Sequence, residues 1–289
     1  MEAFLESKYL LMKIIKKIIK KLLRAIINFL SKFSAGRFLY SEVLVSAMKR
    51  VYKVQHNDIE LFISIPNALN EYRAKTFSSK EPETLEWIDR MPKNSIFWDI
   101  GANVGLYSCY AAKKKNCRVF SFEPSVFNLE LLARNIFNND LVKNITIVPL
   151  PLAEKLGNST LNMTTIDWGG ALSTFGKEYG VDGENMESIF KIPTLGLSMS
   201  HAVNNLNIDQ PDFIKMDVDG IEHLILKGGM PILNNAKEIL IEINDNFQIQ
   251  SKDSSKYLKD AGFILKEKRH AEEFDTGPAE FIFNQIWTK

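Results

Sequence analysis

Three short runs carry residue types that could do chemistry. The first is Asp99-Ile100-Gly101-Ala102-Asn103-Val104-Gly105, an apolar strand end emptying into a glycine turn, with an apolar helical stretch from Leu106 to Ala112 directly after it. A glycine turn between strand and helix lets a ligand approach the backbone where no Cβ stands in the way. In the dinucleotide form of this turn, GxGxxG, the second glycine makes room for a pyrophosphate at the helix N-terminus. Here Asn103 stands at that position and the third glycine comes one residue early. The turn therefore suits an adenosyl ligand without a pyrophosphate better than a nicotinamide dinucleotide.

The second run is Phe122-Glu123-Pro124, in which Glu123 lies 22 residues beyond Gly101. That is the offset at which a carboxylate at the end of the next strand accepts hydrogen bonds from both ribose hydroxyls. Ser125 stands where it could cap the following helix, whose expected buried stripe is Leu129, Leu132, Ala133 and Ile136, with Asn128 facing its first turn. The third run, Asp212-Phe213-Ile214-Lys215-Met216-Asp217-Val218-Asp219-Gly220-Ile221-Glu222-His223, is an apolar strand opening into three carboxylates and a histidine. In an open α/β sheet the ligand crevice lies beyond the carboxyl ends of the strands, so Asp217 is expected there with Asp99 and Glu123. Glu242, in Ile241-Glu242-Ile243, would face the same crevice. Asp219 and Gly220 read equally as a turn that starts a helix. Asp217, Asp219, Glu222 and His223 could ligate a divalent cation, but no further ligand group stands elsewhere, and no metal is expected.

These residues need elements to position them. From Ser95 onward, short apolar strands at Ile96 to Ile100, Val119 to Phe122, Ile145 to Val148, Phe213 to Met216 and Ile239 to Ile243 alternate with helical stretches. That alternation is the signature of a parallel sheet covered by helices. Phe263 to Leu265 and Glu280 to Trp287 read as two final strands joined by an acidic loop. In residues 35 to 93, Ser41 to Tyr52 and Glu81 to Arg90 read as helices and Ile59 to Ile65 as a strand, with no chemistry legible between them. Between strands, Asp167 to Tyr179 sets Trp168 beside Gly169 and Gly170, a composition that suits a mobile lid over a sugar ring or an ordinary surface loop.

The N-terminus is different. From Tyr9 to Phe33, Leu11, Ile14, Ile15, Ile18, Ile19, Leu22, Leu23, Ile26, Ile27 and Leu30 recur at helical spacing, with Lys13, Lys16, Lys17, Lys20, Lys21 and Arg24 opposite them. An aliphatic stripe backed by cations suits an anionic bilayer interface, or packing on the chain's own domain or on a second copy. Residues 1 to 34 carry eight basic and two acidic residues within a chain whose net charge is only +1. The rest of the 289 residues is mildly acidic and offers no field for DNA or RNA. Two cysteines, Cys109 and Cys117, are too few for a disulfide framework and point to a reducing, cytoplasmic location, peripheral on the inner membrane face if the helix binds lipid. The expected organisation is a basic helix at 1–34, a mainly helical lead-in at 35–93, and a ligand-binding domain at 94–289.

Taken together, FWDIGANVGLYS, FEPSVFNLELLARNI, PDFIKMDVDGIEHLILKGG and LIEI resemble the FkbM family of S-adenosylmethionine-dependent methyltransferases over about residues 95 to 245. The resemblance implies the seven-stranded, Rossmann-like, doubly wound methyltransferase sheet, with S-adenosylmethionine as cofactor and a hydroxyl of a sugar, glycan, lipid-linked saccharide or secondary metabolite as acceptor. By position, Asp99, Gly101, Asn103 and Gly105 fall in its cofactor loop, Glu123 and Asn128 in its ribose motif, and Asp217 in its acidic motif. Pro149-Leu150-Pro151-Leu152-Ala153 departs from the family pattern, and Leu152 and Ala153 are assigned beside the adenine. Methyl transfer to an alcohol needs a proton acceptor. Asp217 is the first candidate, followed by Glu242, His223 and His201. A catalytically silent, membrane-associated binding protein and a nicotinamide-dependent oxidoreductase are the alternatives.

Overall fold

The structure, a computed structural model, describes residues 2–289; the side chains of residues 2–14 and 16 fall outside that description. The chain divides into two units, Met1–Arg50 and Val51–Lys289. The division thus falls inside the stretch expected as the lead-in, and not at residue 34 or 93.

In the first unit, helix α1 spans Glu2–Leu30 and helix α2 spans Ser34–Met48. The Arg37 guanidinium donates to the carbonyls of Ser31 and Lys32, satisfying orphan acceptors where α1 stops. The stripe residues Leu11 and Ile14 and the cations Lys13 and Lys16 lie outside the described side chains. Ile15, Ile18, Ile19, Leu22, Leu23, Ile26, Ile27 and Leu30 are all exposed, and α2 has no buried residue although it carries Phe38, Leu39, Tyr40, Val43, Leu44 and Val45. Among the described residues no helix is long and apolar enough to cross a membrane.

The second unit opens with a hairpin, β1 (Val51–His56) and β2 (Ile59–Ser64), turning through Asn57 at φ 50°. Helices α3 (Ala68–Lys75) and α4 (Pro82–Arg90) lead into strand β3 (Ile96–Ile100). There follow α5 (Leu106–Lys115), β4 (Arg118–Phe122), α6 (Val126–Asn138) and β5 (Ile145–Val148). A three-stranded antiparallel sheet, β6 (Gly157–Met163), β7 (Ser173–Phe175) and β8 (Phe190–Gly196), is inserted before α7 (Met199–Leu206) and β9 (Phe213–Met216). The chain ends with α8 (Glu222–Gly228), α9 (Met230–Leu233), β10 (Glu238–Asn244), α10 (Gln248–Asp260), β11 (Ile264–Arg269) and β12 (Ile282–Thr288).

The main sheet has seven strands in the order β11-β12-β10-β9-β3-β4-β5. It is parallel from β10 to β5, and β12 enters antiparallel beside β10. This is the α/β, doubly wound sheet expected from the sequence. Both faces are covered: along β3, Phe97 packs into one apolar cluster while Trp98 and Ile100 pack into the other. Strand order reverses at β3, which has β4 on one side and β9 on the other, so the ligand crevice must open at the tips of those three strands.

Two local expectations are corrected. Ser125 stands at the N-cap of α6 but makes no side-chain cap bond; its own N–H donates to the Glu123 carboxylate, and its carbonyl accepts from the Asn128 N–H. On α6, Ala133 is exposed and Asn135 is buried instead. Asn135 accepts from the Ser64 N–H at 2.8 Å and donates to the Val104 carbonyl, while Asn139 bonds both backbone groups of Phe62. These amides complete the free edge of β2, a job that an apolar count along the helix cannot register.

Candidate active site

At the tips of β3, β4 and β9 lies a cavity of about 310 Å³. Gly101, Asn103, Glu123, Asn128, Leu152, Asp217 and Glu242, all expected at the site, line it. Gly101 has φ +84°, and a Cβ there would stand 1.8 Å from the Asp217 carbonyl oxygen. Only glycine lets β3 and β9 close their tips together.

The Glu123 carboxylate accepts from the Asn103 N–H at 2.8 Å and from the Ser125 N–H at 2.7 Å. Burial pushes its pKa up to about 7, against the pull of those backbone donors. Asn103 sits at φ 50°, which turns its N–H toward Glu123. Around them Phe122, Pro124, Leu150, Leu152, Leu161 and Phe175 form an apolar wall. A carboxylate beside an apolar slot fits a nucleoside, and Asn103 fills the place where a pyrophosphate would need a glycine.

The opposite end is charged. Lys215 is almost wholly buried, donates to Asp217 at 3.0 Å, and lies 5.2 Å from the centre of the Tyr107 ring. Burial drives the Asp217 pKa upward, but the Lys215 ammonium, helped by Lys80 and Arg73, holds it below the usual carboxylate range. Glu242 goes the other way: burial and the negative charge of Asp217 raise it well above the ordinary value. Asp219, at φ 61° and facing the same cavity, is pushed up to about 6 by burial and by the Asp217 charge. Arg73, Lys80 and Glu81 reach the cavity from the segment before β3, where the sequence showed no chemistry. Their signal was absent because isolated charges near a helix read as solvated until a fold turns them inward.

Several expected site residues lie elsewhere. Asp99 is buried behind β3, accepting from the Ser108 hydroxyl at 2.5 Å, and does not reach the cavity. Gly105 is the left-handed turn before α5, where a Cβ would meet the Leu132 side chain, so its role is packing. Ala153 spends its N–H on the Leu197 carbonyl outside the cavity lining. His223 is buried on α8, edge-on to Phe247, with burial lowering its pKa, and His201 pairs with Ser198 at the start of α7; neither lines the cavity. Asn128 does line it, but its amide is engaged with Gly169 and Gly170.

The Methyltransferase FkbM domain matches residues 99–265. The hexuronic acid methyltransferase AglP of Haloferax volcanii is 26% identical over 60% of this chain and 65% of its own length. Methyltransferase sdnD of Sordaria araneosa is 25% identical over 49% of this chain and 62% of its own. The chain thus spans just under two thirds of the length of these curated relatives. Among solved structures, the FkbM methyltransferase of Methylobacillus flagellatus aligns with a TM-score of 0.49 at 15% identity, over 86% of this chain and 58% of that one. With the family match covering more than half of the sequence, and its motifs standing at the tips of β3, β4 and β9, the chain belongs to the FkbM methyltransferase domain family.

Proposed function

We propose that this protein is an S-adenosylmethionine-dependent methyltransferase acting on a hydroxyl of a sugar, glycan or lipid-linked saccharide. The observation that carries the reading is Glu123, fixed by the Asn103 and Ser125 N–H groups beside an apolar slot, in a turn where Asn103 stands at the glycine position a pyrophosphate would need. Glu123 would accept the ribose hydroxyls, and Phe122, Leu150 and Leu152 would hold the base. Arg73, Lys80, Glu81 and Asp217 offer both signs of charge to the amino-acid end. The bound cofactor supplies an electrophilic methyl group, which leaves alignment and proton removal to the chain.

For the proton, the electrostatics of the cavity favour Asp219 over the first candidate from the sequence. Asp217 is ion-paired to Lys215, which holds its pKa low, and Glu242 is raised well above the ordinary value; Asp219 lies nearer the working range of a general base. That AglP is named for hexuronic acid supports a polyhydroxylated acceptor. The exposed aliphatic residues and Lys17, Lys20, Lys21 and Arg24 of α1 support peripheral attachment to an anionic membrane, with pairing of two copies as the other use of that face.

Calorimetry with S-adenosylmethionine and with NAD tests the cofactor: binding of the first and not the second is expected, and the reverse overturns the reading. Transfer of a labelled methyl group to lipid and polysaccharide extracts tests the reaction. Cofactor binding with no transfer to any fraction would favour a silent binding protein.

A further inference from the structure

The segment Trp168–Ser173 borders the cavity and is held by its backbone to an unusual degree. The Trp168 carbonyl accepts from Asn67 at 3.0 Å and Asn70 at 2.7 Å. The Gly169 carbonyl accepts from Arg73 Nε at 3.1 Å and Nη2 at 2.7 Å. The Gly170 carbonyl accepts from Asn103 at 2.8 Å and Asn128 at 3.0 Å. Three consecutive carbonyls therefore each receive two side-chain donors. In addition, the Gly169 N–H donates to Asn128 and the Ser173 N–H to Asp219. Between them Leu172 is exposed and left-handed at φ 60°, a conformation a leucine keeps only where its surroundings impose it.

The side-chain partners of this segment come from two places. Asn103, Asn128 and Asp219 belong to the cavity, within the family-matched residues. Asn67, Asn70 and Arg73 belong to α3 and its N-cap, outside them, and Arg73, in the last turn, also reaches the cavity. Asn67 caps α3, accepting from both the N–H and the side chain of Asn70, which orders one against the other. Asn70 is fully buried and is not part of the cavity lining. Its amide touches Gly169 so closely that a Cβ there, already strained at φ +81°, would stand 2.5 Å from Asn70 Oδ1.

We propose that Asn67, Asn70 and Arg73 are positioning residues that latch Trp168–Ser173 as the outer wall of the cofactor cleft and, through Gly169 and Gly170, fix the amides of Asn103 and Asn128. The proposal rests on the cofactor reading above for its consequence: the latch sets how long S-adenosylmethionine stays bound. Without it the loop swings out, and the wall beside Glu123 is lost.

Trp168 is the reporter, because it alone among the four tryptophans is partly exposed; Trp87, Trp98 and Trp287 are buried to within 2%. In the full chain, Asn70→Ala and, from the loop side, Gly169→Ala should each raise iodide quenching of tryptophan emission and protease cleavage between residues 165 and 173. Each should also speed S-adenosylmethionine dissociation at least tenfold in stopped flow. A purely structural asparagine would lower the melting temperature and leave quenching at 25 °C and the dissociation rate unmoved. If both variants show dissociation within twofold of the parent and unchanged quenching, the latch is wrong. Should the parent chain bind no S-adenosylmethionine at all, the cofactor reading fails, while quenching and proteolysis still decide the latch.

Discussion

Glu123 shows how much a single position can be asked to do. Its carboxylate takes two backbone N–H donors and still faces the cavity, and it titrates near neutrality because burial outweighs those donors. Only the ionised form can accept from two hydroxyls at once. Affinity for S-adenosylmethionine should therefore rise with pH through about 7, and Glu123→Ala should weaken it by about 1 to 3 kcal/mol in calorimetry. Unchanged affinity in that mutant would remove Glu123 from the ribose. The carboxylates of the third run separate by environment in the same way. Asp219→Asn keeps an acceptor for the Ser173 N–H but cannot take a proton, so labelled-methyl transfer should fall at least about a hundredfold with cofactor binding retained. Asp217→Asn instead strands the buried Lys215 ammonium, and should cost thermal stability together with activity. A larger loss of turnover in Asp217→Asn than in Asp219→Asn, at equal stability, would return the base to Asp217.

At the scale of elements, the site depends on three strand tips meeting where the strand order reverses. A Cβ on Gly101 would run into the Asp217 carbonyl just beyond β9, and Gly101→Ala should destabilise the fold by more than about 2 kcal/mol in denaturant unfolding. A shift of a few tenths would mean that the tips can part without harm. Helix α1 poses a different question, because its described side chains are exposed on both its aliphatic and its lysine faces. The full chain should pellet with anionic vesicles and much less with neutral ones, and replacing Lys17, Lys20, Lys21 and Arg24 by Glu should abolish the difference. Equal pelleting of parent and variant would leave pairing of copies as the role of that face. Helix α2 carries further exposed apolar residues, Phe38, Leu39, Val43 and Leu44, and apolar residues occur all round it, so its sequence shows no single stripe.

The second unit as a whole carries several buried acids, some in the cavity wall and one away from it. Glu222 and Glu123 titrate near 7 and Asp219 near 6, each raised chiefly by burial. A group raised in this way binds its proton more tightly folded than unfolded. Its stabilising contribution is complete below its unfolded pKa and is lost as pH climbs through the folded value. Asp217, held low, stays ionised throughout this range and does not oppose the trend. The melting temperature should fall between about pH 5 and pH 8. Glu222→Gln, away from the cavity and bonded to Gln250 and to the backbone of Val218 and Gly220, should flatten part of that slope. A melting temperature independent of pH over this range would show that these acids are less buried than the packing indicates.

By itself the sequence determined the sheet and its ligand end. The five parallel strands, the Gly101 turn and the Glu123 offset are local patterns, set by the period of apolar residues and by what fits between a strand and a helix. Family motifs are local in the same sense. What only the tertiary structure decided were contacts between segments far apart in the chain. Asp99 and Glu123 both end strands, yet one turns behind the sheet to Ser108 and the other into the cavity. Arg73 and Asn70 meet Gly169 and Trp168 across nearly a hundred residues, and Asn135 completes the edge of β2 across about seventy. A polar side chain has no period to betray its partner; its role appears only when the fold buries it and obliges it to bond.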